Sequence, residues 1–78
     1  IYPNPFTESA TLEIDVMENQ SKLHIEMIDI MGKTVQEINA GKLDKGMYKY
    51  TIAGPATGFY FCNVTINGIR TTYKVVKR

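Results

Sequence analysis

Few side chains in this sequence have the types and spacing needed for catalytic or metal chemistry. The chain has one cysteine, Cys62, and one histidine, His24. A single cysteine and a single histidine do not make the tetrahedral four-ligand site of structural zinc, and one cysteine cannot form an internal disulfide. His24 has no serine–acid pair at a meaningful spacing, so we interpret it as an exposed strand residue. We expect no metal and no cofactor, and Cys62 is expected to be a small buried apolar residue.

Two further patterns are typical of enzymes, but neither is complete. The tripeptide Gly-Lys-Thr at 32–34 resembles the end of a phosphate-binding loop. That motif requires a glycine five positions earlier, where Met27 stands, and a helix after it, which the sequence does not indicate. The acidic residues lie on the outward faces of predicted strands and do not form pairs suited to glycoside hydrolysis. The sequence therefore predicts a protein that is not an enzyme.

Alternation of apolar and polar residues dominates the chain, and this period of two predicts β-strands. The predicted strands cover residues 10–16, 22–27, 34–38, 47–52, 59–66 and 69–76. No window shows the helical spacing of apolar residues. Asn67–Gly68 separates the last two runs, and an Asn-Gly pair there predicts a two-residue type I′ hairpin turn. Residues 39–46 are expected to form a loop, residues 53–58 a turn, and Gly32 a tight turn with positive φ.

These elements predict an all-β fold, a small antiparallel immunoglobulin-like sandwich of about seven short strands. With 78 residues and 44% hydrophobic composition, the chain is sufficient for one core, so residues 1–78 are predicted to be a single domain. The sequence has neither a membrane-spanning apolar run nor an initial signal peptide. Because it begins with Ile1 and not with methionine, we expect a module of a longer protein. A small sandwich also has exposed edges, through which weak self-association is possible.

Charge is distributed unevenly along the chain. Residues 1–44 carry eight acids and three lysines, a net charge of −5, whereas residues 45–78 carry six basic residues and no acid, a net charge of +6. Two compatible interpretations are the pairing of acidic and basic strands within a sheet and a basic terminal strip that faces an anionic partner. A pI near 8.0 and tyrosines that alternate inward argue against nucleic-acid binding.

The stretch "YPNPF" at 2–6 cannot form a helix or a regular inner strand. Pro3 and Pro5 fix their own φ angles, lack N–H donors and hold Tyr2 and Asn4 extended. One interpretation is an N-terminus whose aromatic residues dock on the core. Another is a stiff segment that takes part in recognition.

Five segments, taken in order, resemble a known family. They are YPNPF at 2–6, IDIMGKTV at 28–35, KGMYKYTI at 45–52, GFYFCNV at 58–64 and YKVVKR at 73–78. With this order and spacing, the chain resembles the type A C-terminal sorting domain of the type IX secretion system. The resemblance covers essentially the whole chain, although Cys62 occupies a position where the family usually has an aromatic or aliphatic residue.

The resemblance implies that the chain is a secretion signal that carries no catalytic activity. The implied partners are a covalently fused N-terminal cargo domain, the translocon, outer-membrane shuttle proteins and a sortase that removes the domain. The implied route passes through the periplasm to the cell surface or the medium. The alternative is a fibronectin- or immunoglobulin-like accessory module, or a carbohydrate-binding module, of a secreted surface enzyme.

Carried over residue by residue, the resemblance separates two groups. The residues expected to contact the machinery are Pro3, Asn4, Pro5, Lys74, Val75, Val76, Lys77 and Arg78. The residues expected to support the fold are Asp29, Gly32, Gly46, Tyr48, Gly58 and Tyr60. Strand addition along an edge strand would provide a physical means of recognition.

Overall fold

The computed structural model describes residues 7–53 and 56–78, and these residues form six β-strands and no helix. The strands are β1 (Ala10–Val16), β2 (Ser21–Asp29), β3 (Thr34–Leu43), β4 (Gly46–Ile52), β5 (Gly58–Ile66) and β6 (Ile69–Lys77). The segment "YPNPF" and the predicted turn residues 54–55 lie outside the described residues. In the part of the chain that is described, no helix is long and apolar enough to cross a membrane.

The six strands form two antiparallel sheets that pack face to face. One sheet contains β1 and β4, and the other has the strand order β3-β2-β5-β6. The fold is therefore all-β and consistent with an immunoglobulin-like sandwich, as predicted, with six strands in the described residues where about seven were expected. β1 and β4 pair in a register that places Glu13 opposite Lys49, so an acidic and a basic strand do lie side by side.

The core lies between the sheets and is built from alternate residues of each strand. Leu12, Ile14 and Val16 of β1 face inward and are at most 6% exposed. Leu23, Ile25 and Met27 of β2 meet them from the larger sheet, with at most 1% exposure. Complete burial of such a side chain contributes about 1.5–3 kcal/mol, so these two strands supply much of the driving force for folding.

Cys62 is buried in this core, as predicted. Its side chain is 0% exposed, and desolvation by burial raises the pKa of the thiol to about 11. A thiol with so high a pKa contains little thiolate near neutral pH, and the thiolate is the reactive form. Cys62 therefore behaves as a core residue and not as a nucleophile.

The predicted loop at 39–46 is wrong for residues 39–43 and 46, because β3 continues to Leu43 and β4 begins at Gly46. The pairing of β2 with β3 shifts register between Leu23 and His24, which indicates a bulge. Gly41 has a φ of +69° there, and the Asn39 side chain accepts a hydrogen bond from its amide at 3.3 Å. Asparagine and glycine are typical of loops, but here Asn39 and Gly41 accommodate a bulge within a strand. The backbone of β2 provides the hydrogen-bonding partners that keep this segment in the sheet.

The hairpin between β5 and β6 has the predicted type I′ turn. Both central residues have positive φ, +50° at Asn67 and +83° at Gly68. Asn67 also binds Lys22 at the start of β2, with its amide donating to the Lys22 carbonyl at 3.0 Å and its Oδ1 accepting from the Lys22 amide at 2.9 Å. The turn thus ties the hairpin to the centre of the larger sheet.

A side-chain amide fastens the smaller sheet to one side of the larger one. Gln36 of β3 donates from Nε2 to the Thr51 carbonyl at 3.0 Å and accepts at Oε1 from the Ala53 amide at 2.9 Å. These bonds join β3 to the backbone at the end of β4. The smaller sheet is therefore held toward the β3 side of the sandwich, and β1 faces the β6 side.

Candidate recognition surface

The two Gly-x-Tyr segments form the same local arrangement at the starts of β4 and β5. Tyr48 donates from its hydroxyl to the carbonyl of Asp44 at 2.7 Å, and Tyr60 donates to the carbonyl of Ala56, in each case four residues upstream. The glycines two residues before them, at 46 and 58, have φ of +157° and +151°, values that a residue with a Cβ rarely adopts. The glycine turns the chain into the strand, and the tyrosine fastens the preceding turn to it.

Replacement of Tyr60 by phenylalanine should therefore lower the free energy of unfolding by about 1–3 kcal/mol, because both the Ala56 amide and its carbonyl lose a partly buried partner. Tyr48→Phe is the matched control, since its bond is exposed, and it should cost about 0.5–1 kcal/mol. Urea unfolding of the two variants and the parent chain measures both values. Equal losses would show that burial of the Tyr60 bond does not matter.

The turn between β2 and β3 is held by one carboxylate. Asp29 accepts at Oδ1 from the amides of Met31 and Lys33, both at 2.9 Å. Gly32 has a φ of +85°, and its amide donates to the Asp29 carbonyl at 3.0 Å. Aspartate supplies the side-chain acceptor and glycine the left-handed backbone. The turn presents Met31 to solvent at 87% exposure.

The structure distributes the terminal residues of the candidate set over two faces of β6. Lys74 is exposed and Val76 is half-buried on the outer face, while Val75 points into the core and is 0% exposed. Lys77 shares the inward side of the strand with Val75, and Arg78 is exposed beyond the strand end. Pro3, Asn4 and Pro5 lie outside the described residues.

Two exposed phenylalanines of β5 lie beside the outward residues of β6. Phe59 is 50% exposed and faces Val76, and Phe61 is 36% exposed and faces Lys74. Ile28 of β2 stands on the other side of Phe61. The Lys74 ammonium lies 4.6 Å from the centroid of the Phe59 ring, within cation–π range. We call these five residues the aromatic–basic patch.

Sequence reasoning assigned no role to Phe59 and Phe61. The signal was present, because they alternate with Tyr60 and Cys62, which were expected to face the core, and so must face outward. What the sequence lacked was the register that places them beside Lys74 and Val76. Singly exposed apolar residues are ordinary on protein surfaces, but a contiguous apolar group with a cation at its rim is typical of an interaction site.

Comparison with known proteins decides the family. A family model described as "Secretion system C-terminal sorting domain" matches residues 1–78. The chain belongs to this family. No curated protein matches the sequence. As a type IX secretion C-terminal sorting domain, the chain is a signal for export across the outer membrane to the cell surface or the medium, which implies a fused cargo and contact with the secretion machinery.

Two other features of the sorting domain bear on its chemistry. His24 is partly exposed on β2 and lies with Nε2 3.6 Å from the Glu37 carboxylate of β3. The described residues contain no group of three histidine, cysteine, aspartate or glutamate side chains that could hold a metal ion.

Proposed function

We propose that the secretion machinery recognises this sorting domain through the aromatic–basic patch together with Arg78 at the end of the same strand. The observation that carries the proposal is the exposure of Phe59 and Phe61 in register with the outward residues of the terminal strand. Large aromatic side chains contribute most to binding when a partner's pocket desolvates them. Val75 is left out of this surface because its side chain lies in the core.

The chemistry of the patch specifies the kind of receptor surface that would fit it. A receptor surface that fits this patch would have an apolar pocket for Phe59, Phe61 and Ile28. An acidic group at the edge of that pocket would complement the charge of Lys74. Opposite charges at the rim raise the association rate and exclude wrong partners more than they add affinity. Pro3, Asn4 and Pro5 remain a second predicted contact.

In the proposed sequence of events, the folded domain crosses the periplasm attached to its cargo and binds the outer-membrane shuttle and the translocon. A sortase then removes the domain. The cargo is transferred to an anionic lipopolysaccharide or is released. In this proposal, the sorting domain is the substrate in these steps and not an enzyme.

Substitutions in the patch test this proposal in a host with a type IX system. Lys74→Glu combined with Phe59→Ala, in a signal-peptide-bearing reporter fused to the chain, should reduce export by at least about tenfold, the equivalent of 1.4 kcal/mol of lost binding. The reporter should accumulate in the periplasm. Lys74 is exposed and Phe59 is 50% exposed, so loss of the half-buried ring and of its cation–π contact should lower the free energy of unfolding by about 1–2 kcal/mol, and urea unfolding should show that the variant is still folded.

The matched control is Lys42→Glu combined with Met47→Ala. Lys42 is exposed on β3, at the opposite edge of the larger sheet, and Met47 is 55% exposed on β4. This control has the same charge change and removes an apolar side chain of similar exposure, and it should be exported normally. Normal export of the patch variant, or an equal defect in the control, would contradict the proposal. The family match favours sorting over the accessory-module alternative, and we propose no second function.

A further inference from the structure

A groove runs between the edge of β1 and the inner face of β6. The larger sheet has four strands and the smaller sheet two. Because Gln36 holds the smaller sheet toward β3, the inner face of β6 extends past β1. The resulting cavity has a volume of about 520 Å³. Its floor includes Val64 of β5 and Thr71 of β6, and its wall is the β1 segment from Leu12 onward.

Apolar side chains line this groove but remain exposed. Ile69 is 74% exposed, Met17 is 72% exposed and Tyr73 is 44% exposed, and all three line the cavity. Ile69, Thr71 and Tyr73 share the inner face of β6 with Val75, which is fully buried where the sandwich is closed. An inner sheet face that is covered at one end and open at the other leaves apolar surface for a partner to bury.

The wall of the groove can pair with an extended chain. Among the described strands, β1 pairs only with β4, so its other edge faces the groove. In an antiparallel pair, the hydrogen-bonding groups of a strand point alternately to its two sides. The edge of β1 is therefore a template to which a strand from another protein can add.

The charge of the groove selects the kind of strand that fits. Glu13, Asp15 and Glu18 line the cavity, and its described lining residues include no lysine or arginine. Glu13 and Asp15 are exposed on the outward face of β1, where β4 places Lys49 opposite Glu13 and the uncharged Met47 opposite Asp15. A strand added to β1 would place alternate side chains next to these carboxylates, where a cation is favourable and an anion is not.

We propose that this groove binds an extended segment of a partner protein with alternating apolar and basic side chains. The segment adds to β1 as a third strand of the smaller sheet. Its apolar side chains cover Ile69 and Tyr73, and its lysines or arginines lie beside Asp15 and Glu13. The groove is on the opposite face of the larger sheet from the aromatic–basic patch, so this docking site is independent of the recognition proposed above.

Synthetic heptapeptides that match β1 in length, seven residues, test the chemistry. The probe is Lys-Val-Lys-Val-Lys-Val-Lys, with Glu-Val-Glu-Val-Glu-Val-Glu and the block sequence Lys-Lys-Lys-Lys-Val-Val-Val as controls. Each is titrated into the isotope-labelled chain and followed by NMR. The alternating basic peptide should shift the amides of β1 and slow the hydrogen exchange of alternate ones. Both controls should bind at least about tenfold more weakly, which corresponds to 1.4 kcal/mol.

A pair of variants locates the site. Thr71→Lys places a cation and a longer side chain on the groove floor, whereas Thr51→Lys makes the same change at an exposed position of β4 outside the groove. Thr71→Lys should weaken peptide binding by at least about tenfold, and Thr51→Lys should leave it unchanged. Urea unfolding of both variants verifies that each is folded.

Three results would overturn the proposal. If the acidic peptide binds as tightly as the basic one, the carboxylates of β1 do not select the charge of the strand. If the block peptide binds as tightly, the groove does not recognise the alternation of apolar and basic side chains. An equal effect of Thr71→Lys and Thr51→Lys would place binding elsewhere. A chain that sediments as a dimer, with β1 amides already protected before peptide is added, would assign the groove to a second copy. None of these results bears on export through the aromatic–basic patch, so the two proposals fail independently.

Discussion

Deletion of residues 73–78 should unfold the domain and abolish export of a fused cargo. The deleted segment pairs with β5 from Gly58 to Cys62. It also contains Val75, which is 0% exposed. The deletion exposes the β5 backbone and opens the core beside Tyr60, which pairs with Val75 and is 4% exposed. Circular dichroism, urea unfolding and reporter export should show no cooperative transition and no extracellular reporter.

This deletion removes part of the fold and part of the candidate recognition surface together, so it does not separate the two. Deletion of Arg78 alone is the matched control. Arg78 is exposed and lies beyond the end of β6, so its loss should change the free energy of unfolding by less than about 0.5 kcal/mol. A chain that lacks residues 73–78 but unfolds cooperatively would contradict the structural role assigned to β6.

Ile25→Ala should produce the largest loss of stability from a single core substitution. Ile25 is 1% exposed in the centre of β2, which pairs with both β3 and β5. Truncation of a buried isoleucine costs about 2–5 kcal/mol, because transfer free energy is lost and a cavity remains. A domain of 78 residues has a total stability of about 4–12 kcal/mol. The substitution should therefore remove a large fraction of the stability.

Urea unfolding near room temperature measures this effect, and Lys22→Ala on the same strand is its control. Lys22 is exposed, and its structural hydrogen bonds to Asn67 use the backbone, so the control should lie within about 0.5 kcal/mol of the parent chain. A loss below about 1 kcal/mol for Ile25→Ala would show that the core between the sheets is looser than its burial indicates. Export of Ile25→Ala should decrease in proportion to its folded fraction, because the substitution leaves the residues of the aromatic–basic patch unchanged.

Most of the strands were predictable because their signals are local. The alternation in residues 10–16 predicted β1 with the bounds that the structure shows. Asn67 and Gly68 predicted the last hairpin because this pair readily adopts two positive φ angles in succession. Residues 39–43 were mispredicted because a bulged edge strand depends on its partner. No pattern within "NAGKL" indicates that the backbone of β2 will form hydrogen bonds with this segment.

The aromatic–basic patch was likewise only partly predictable from the sequence. Alternation was sufficient to infer that Phe59 and Phe61 point away from Tyr60 and Cys62. It was not sufficient to bring them beside Lys74 and Val76, because that depends on the register of the hairpin. The terminal strip was predicted as one recognition unit, but the pleat of β6 directs its members to two faces.

By itself, the sequence determined the β-rich class, the last hairpin turn, the burial of Cys62 and, through five ordered motifs, the resemblance to a sorting domain that the family match then showed. These features depend on residue types and short spacings. Only the tertiary structure decided that β1 pairs with β4 and not with β6. That choice sets which strand edges and faces remain open, because sheet order results from long-range packing that no local pattern encodes.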